Sequence, residues 1–293
     1  MNCEQIIDNK VQGLIDYINK YNLQALVLGI SGGIDSTLTA AIASEACKKT
    51  GIKLIGRSLP TNTNDTSELE AANLVGKAFC DSYGIIAIED LSENTKKYIE
   101  YKENMSLGAI PYGNIKARLR MIYLYNLASM YGGIVLDTDN LTEHFMGFFT
   151  LHGDQGDLGV LADLWKTEVF ELGRWYVNYL QVFVDEYAKC SKPDRIAQGK
   201  SLKNKVEAVK ASLALNPTDG NGTAPDLEQY GAPSFEIVDE ILQALVEGTE
   251  MPDNEYVEPV KQRFLKSHFK RWHNPLNVSS GGTVTDAEGI LVL

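Results

Sequence analysis

The sequence predicts an α/β fold: a parallel sheet with helices on both faces. Three observations predict it. Short apolar runs alternate strictly with helical stretches through the first half of the chain, the pattern of βαβ units. Glycines stop the helices, at Gly84 and again at Gly132 and Gly133. The chain has 293 residues, 44% of them hydrophobic, enough to bury a full core.

Each element follows from its local pattern. Residues 1–20 place Ile6, Ile7, Val11, Leu14, Ile15 and Ile18 at helical spacing among charges, an amphipathic helix rather than a signal peptide. QALVLGI (24–30) reads as a strand, STLTAAIASEACKK (36–49) as a helix, and KLIGRSL (53–59) as a strand. The stretch from Asp65 to Gly84 reads as a helix, IIAIED (85–90) as a strand, residues 113–133 as a long helix, and IVLDT (134–138) as a strand. A polar loop then starts a helix carrying Glu143. Residues 190–233 shift towards Lys, Asn, Gly, Pro and Asp and read as a long irregular segment, expected to act as a mobile lid. Helical periodicity returns at SFEIVDEILQALVEG (234–248) and in the segment ending FLKSHFKRWHNP (264–275). One domain is expected over 1–275, followed by a poorly ordered tail over 276–293.

Composition narrows the function. The net charge of −12, from 39 acidic against 27 basic residues, argues against a broad nucleic-acid footprint, with Lys261 to Arg271 the best local basic patch. Cys3, Cys47, Cys80 and Cys190 form no CxxC pair, which excludes a zinc ribbon or disulfide framework and fits a reducing cytoplasm. Cys3 could be a glutamine-hydrolysing nucleophile, but it runs straight into a helix and reads as inert. No apolar run approaches the roughly 20 residues needed to cross a bilayer.

In such sheets ligands sit beyond the carboxyl ends of the strands, near the point where strand order reverses. The loop GISGGIDS (29–36) lies at one such end. A Walker loop needs a lysine and hydroxyl after its last glycine, and Ile34 follows Gly33; the spacing fails the GxGxxG fingerprint as well. What remains is a nest of amides from Ser31, Gly32 and Gly33, the Ser31 and Ser36 hydroxyls, and a helix N-terminus, all suited to a polyoxyanion. Asp35 would repel that anion unless a cation such as Mg2+ lay between them. SGGIDS in this setting resembles the pyrophosphate loop (PP-loop) of the N-type ATP pyrophosphatases.

Residues 136–170 form the second unusual stretch. Glu143 could share a Mg2+ with Asp35, or be an ordinary first-turn acid. TDNLTE, GFFT, GD and WKTEV, in this order, with KAR at 116–118, PT at 217–218, SFEIVDEIL and KR before Pro275, are similar to the ammonia-using catalytic domain of NAD synthetases. The similarity covers roughly residues 4–275. It implies a Rossmann-like sheet of the adenine nucleotide alpha hydrolase-like kind. It also implies ATP-dependent amidation of deamido-NAD (nicotinate adenine dinucleotide) with ammonia, giving NAD, AMP and pyrophosphate through an acyl-adenylate. By the same resemblance Gly29, Ile30, Ser31, Gly32, Gly33, Ile34, Asp35 and Ser36 would cradle ATP, with Thr138, Lys166 and Thr218. Asp35 and Glu143 would bind Mg2+; Asp35, Glu143 and Lys166 would carry catalysis. Arg118, Asp157 and Lys270 would touch the dinucleotide, partly across a homodimer interface.

The chain departs from the family at the substrate end. The family often has FTKYGDG where this chain has FTLHGDQ, so Leu151 replaces a lysine, and the following segment is one residue shorter, which unsettles the placement of Asp157. Asp137 stands where glycine is usual. His152 is a candidate to supply the missing donor, a half-exposed loop histidine being the plainer reading. These changes keep nicotinate mononucleotide open as the acceptor. A tRNA-modifying relative would bring paired cysteines and a basic face, which this chain lacks, and a mere nucleotide sensor would not need two metal carboxylates. No glutaminase domain is read in the chain, so nitrogen is expected as free ammonia or from a separate protein.

Overall fold

The computed structural model describes residues 1–218 and 225–271, and the backbone pairing of 277–278 with 284–285. Helix α1 (Cys3–Tyr21) leads into β1 (Ala25–Gly29), α2 (Ile34–Thr50), β2 (Lys53–Ser58), α3 (Thr66–Phe79), β3 (Ser82–Ile85), α4 (Glu89–Glu103), α5 (Ala109–Tyr131) and β4 (Gly133–Asp137). Then come α6 (Leu141–Met146), β5 (Leu158–Gly159), α7 (Lys166–Tyr187), α8 (Pro193–Leu213), α9 (Asp226–Tyr230), α10 (Phe235–Glu247), α11 (Val257–Lys266) and a 3-10 turn over His268–Arg271. Two short strands, β6 (Asn277–Val278) and β7 (Val284–Thr285), pair antiparallel. The rest of the tail expected to be poorly ordered lies outside the described residues.

The main sheet has the order β3-β2-β1-β4-β5 and every pairing is parallel. Strand residues alternate between two cores. Leu26, Leu28 and Leu54 pack with α1, α2, α3, α7 and α8, whereas Ala25, Val27, Ile55 and Val135 pack under α5. Burial on both faces accounts for the uninterrupted apolar runs. A third cluster joins Met146, Tyr230, Phe235, Val238, Ile241, Leu242 and Val260 from α6, α9, α10 and α11. Strand order reverses between β1 and β4, so the loops after Gly29 and Asp137 face one crevice.

Three expectations are corrected. The helix read over 65–84 ends at Phe79, and the next strand is 82–85, not 85–90. Asp81 explains the shift: its amide donates to Leu54 O at 3.0 Å and its Oδ2 accepts from Leu54 N at 2.8 Å, drawing the chain onto the sheet early. Helix α4 is unannounced in the sequence reading because it buries only Ser92 and so lacks a buried apolar stripe. The segment 190–233 is not structureless. Most of it is α8, opened by Pro193 at its first position and held through buried Val206, Ala208, Val209 and Ser212. Residues 219–224 of that segment lie outside the described residues.

Candidate active site

The loop after β1 turns on Gly32, whose φ of +94° suits glycine. Ser31 Oγ accepts from Gly33 N at 3.2 Å and meets Ser36 Oγ at 3.0 Å, while Ser36 and Thr37 hydroxyls donate to Gly33 O. The Gly33 amide is thus occupied within the loop. Thr37 Oγ1 and Ser212 Oγ are 2.7 Å apart, tying the start of α2 to the end of α8.

Asp35, in the first turn of α2, points at the second loop. Its Oδ2 accepts from Lys166 Nζ at 2.6 Å, and its Oδ1 from Asn140 Nδ2 at 2.8 Å. Lys166 Nζ also donates to Glu143 Oε1 at 2.9 Å. Asn140 caps α6: its Oδ1 accepts from Glu143 N at 3.0 Å, and Glu143 Oε2 accepts from Asn140 N at 3.2 Å. The three expected catalytic groups therefore form one cluster, with Lys166 buried to 2% exposure between two carboxylates. One ammonium serving two acids raises the Lys166 pKa despite its burial. Burial pushes the Glu143 carboxyl up to about 7, against the pull of Lys166 and with the push of Asp35.

The cleft around this cluster is lined by Gly29, Ile30, Ser31, Gly33, Ile34, Ser36, Thr138 and Thr218 of the expected nucleotide residues. Gly32 does not line it; it abuts Glu68 and Ala72 of α3. Thr218 Oγ1 donates to Glu68 Oε1 at 2.8 Å, which holds the chain beyond α8 against α3.

The expected dinucleotide residues lie apart from the cluster. Arg118 Nε donates to Leu151 O at 3.2 Å and lines an outer groove with Ile122, Tyr125, His152 and Gln155. His152 is exposed, in a left-handed conformation at φ 61°. Asp157 Oδ2 accepts from Val135 N at 2.9 Å, and Asp157 N donates to Val135 O at 2.8 Å, so this residue serves the edge of β4. Lys270 Nζ donates to Gly147 O and Phe149 O.

The sequence reading missed Asn140, Asp139, Asp154, Arg57 and Arg120, of which all but Asn140 line the cleft. Asn140 was legible as the N-cap of N-L-T-E, a capping-box signature. Asp139 Oδ2 is buried without a hydrogen-bond partner, and burial beside Asp137, Glu143 and Asp154 raises its pKa well above the usual range. Burial also pushes Asp137 up to about 6. The crevice therefore gathers acidic side chains beside Lys166, Arg57 and Arg120, with burial favouring the uncharged form of Asp139. No group of three or more His, Cys, Asp or Glu converges on one point among the described residues. Asp35 and Glu143 carry hard carboxylate oxygens of the kind Mg2+ takes, and here those oxygens accept from Lys166 and Asn140.

Residues 6–190 match the model of the NAD synthase family. The chain is 30% identical to an NH3-dependent NAD(+) synthetase of Methanococcus aeolicus over 86% of its own length and 87% of the relative's. It is 29% identical to a glutamine-dependent NAD(+) synthetase of Thermotoga maritima over 92% of its length, but spans only 44% of that relative. Among solved structures, the NMN synthetase of Francisella tularensis superposes with a TM-score of 0.71 at 26% identity, covering 92% of this chain and 96% of that one.

Proposed function

Because the chain belongs to the NAD synthase family, we propose that it is an ATP-dependent C–N ligase that amidates deamido-NAD with ammonia, releasing AMP and pyrophosphate. The observation that carries the reading is the Asp35–Lys166–Glu143 cluster, set beside the glycine-rich loop at the reversal of strand order. A nicotinate carboxylate oxygen attacks the α-phosphorus of ATP and pyrophosphate leaves. Ammonia then adds to the acyl carbon of the adenylate, AMP departs, and the nitrogen loses its surplus proton to give the amide. No protein nucleophile is required. The loop and Lys166 hold phosphate charge, and catalysis is positioning plus electrostatic stabilisation.

Asp35 and Glu143 would hold Mg2+, which when bound neutralises the phosphates. With burial pushing its carboxyl up to about 7, Glu143 is expected to gain charge, and cation binding to strengthen, as pH rises through that region. Mg2+ affinity in the presence of ATP, measured by calorimetry, is expected to rise about fivefold between about pH 6 and about pH 7 and to level off above about pH 8. A flat profile would show that Glu143 stays ionised throughout.

A homodimer fits the surface of α4, α5 and the loop between them, where Tyr98, Tyr101, Met105, Ile110 and Ile122 are exposed, Tyr101 at 79% and Ile110 at 71%. Sedimentation is expected to show a dimer that Ile122→Glu converts to monomer; a monomeric parent protein would remove this surface from the reading. All four cysteines are free, in keeping with a reducing cytoplasm. No helix among the described residues is long and apolar enough to cross a membrane.

Nicotinate mononucleotide is the second reading, favoured by Leu151 in place of the family's lysine and by the similarity to the Francisella enzyme. AMP release from ATP, Mg2+ and ammonium, compared between the two acids and a control without acid, tests both. Turnover with deamido-NAD supports the first reading, preference for the mononucleotide the second, and silence with both points to another carboxylate served by the same loop.

A further inference from the structure

Asp239 sits on α10, 2% exposed, and does not line the cleft. Its Oδ1 accepts from Thr142 Oγ1 at 2.5 Å, and its Oδ2 accepts from Thr167 N at 2.9 Å and Thr167 Oγ1 at 2.7 Å. Thr142 Oγ1 in turn accepts from Lys166 N at 2.8 Å. Thr142 immediately precedes Glu143, and Thr167 immediately follows Lys166. One carboxylate therefore grips the residues next to both members of the ion pair.

Helix α7 needs this grip. An N-terminus leaves its first amides without partners, and the residue before Lys166 is Trp165, whose indole offers no acceptor. Asp239 and Thr142 supply the acceptors from two other elements. Asp239 is itself anchored, because its neighbours Val238, Ile241 and Leu242 are fully buried in the third apolar cluster.

We propose that Asp239 is a positioning residue: through Thr142 and Thr167 it sets the register of α6 against α7, and so holds the Lys166 ammonium between Asp35 and Glu143. The role rests on the reading of those three groups as the ligase's charge cluster. A cap that served stability alone would leave the Lys166 amine as protected as before in a folded variant.

The test is competitive amine acylation of the full chain, followed residue by residue by mass spectrometry, in the parent protein, Asp239→Asn and Thr142→Val. Lys205, which is also buried at 8% exposure but lies on α8, reports general loosening, and exposed Lys97 reports reagent strength. Lys166 is expected to be acylated at least about tenfold faster in Asp239→Asn, and by a smaller factor in Thr142→Val, with Lys205 unchanged in both. An unchanged Lys166, or a Lys205 that accelerates equally, would overturn the proposal. Thr142→Val answers alone if Asp239→Asn does not fold.

Turnover gives a second arm. Asp239→Asn is expected to lower kcat by about 10- to 100-fold with the KM for ATP within about threefold, and to cause no further loss in a Lys166→Met background. Full additivity of the two losses would overturn the proposal. A parent protein that fails to turn over sinks the proposed function, while the acylation comparison still decides the role of Asp239.

Discussion

Lys166→Met is expected to lower kcat for AMP release by about 10²- to 10³-fold, the usual cost of removing one preorganised charged contact. Two losses combine. The proposed phosphate contact is lost, and Asp35 and Glu143, 16% and 13% exposed, lose the cation they share. Removing one partner of a buried ion pair typically costs about 3–5 kcal/mol, because the other charge stays behind unpaired. Here the cost is reduced, since Glu143, already pushed up to about 7, can take a proton instead. The variant is therefore expected to fold, with its midpoint in urea lowered at neutral pH and less so in mild acid, where Glu143 takes up a proton. Kinetics by AMP release and a urea titration at two pH values check both parts. A variant that keeps more than about a third of parental kcat would remove Lys166 from the chemistry.

Gly32→Ala is expected to weaken ATP binding by more than about 100-fold and to lower stability by about 1–3 kcal/mol. A Cβ at this position would lie 2.5 Å from Glu68 O and 2.9 Å from Ala72 N. Both are backbone atoms of α3, so no side-chain rotation relieves the overlap; the loop must lift or α3 must move. Its φ of +94° adds strain for any L side chain. Gly33 is the internal control. At φ −66° its added Cβ would meet only Ser31 Oγ at 3.4 Å, so Gly33→Ala should cost little stability. Calorimetry with ATP and thermal melting of the two variants separate loop geometry from the general loss of a glycine. Equal effects at the two positions would show that the approach of α3 does not constrain the loop.

The parts legible in the sequence are those where local chemistry and tertiary environment agree. β1, the SGGIDS turn and α2 were readable because a fully buried strand, a glycine at positive φ and a helix N-terminus each leave a local mark. Asp35, Glu143 and Lys166 lie 108 and 23 residues apart in successive steps; the fold's strand ends suggest pairing Asp35 with Glu143, and only the family resemblance adds Lys166. What escaped depends on contacts between distant segments. The early start of β3 is set by Asp81 pairing with Leu54. Helix α8 buries a narrow stripe among lysines, so composition hid its periodicity. Asp239 looks like any polar residue of an amphipathic helix until Thr142 and Thr167 are seen to meet it. Of the residues expected at the dinucleotide, Arg118 bonds Leu151 O, Asp157 bonds Val135 N and Lys270 bonds Gly147 O, contacts between distant segments that the sequence does not announce.

The division of the apolar interior into separate clusters bears on how this protein breathes. Asp35 and Lys166 start helices whose apolar residues, Ile34, Leu38, Val169 and Leu172, belong to the core against the sheet, whereas Glu143 rides on α6, whose Met146 belongs to the cluster with α10 and α11. A boundary between two apolar clusters thus passes through the charge cluster. Hydrogen exchange is expected to show α6, α10 and α11 opening more readily than the sheet, and each such opening would part Glu143 from Asp35. Anything that binds both carboxylates acts as a staple across this boundary, and its binding energy adds to the resistance of those helices against opening while leaving the strands nearly as they were.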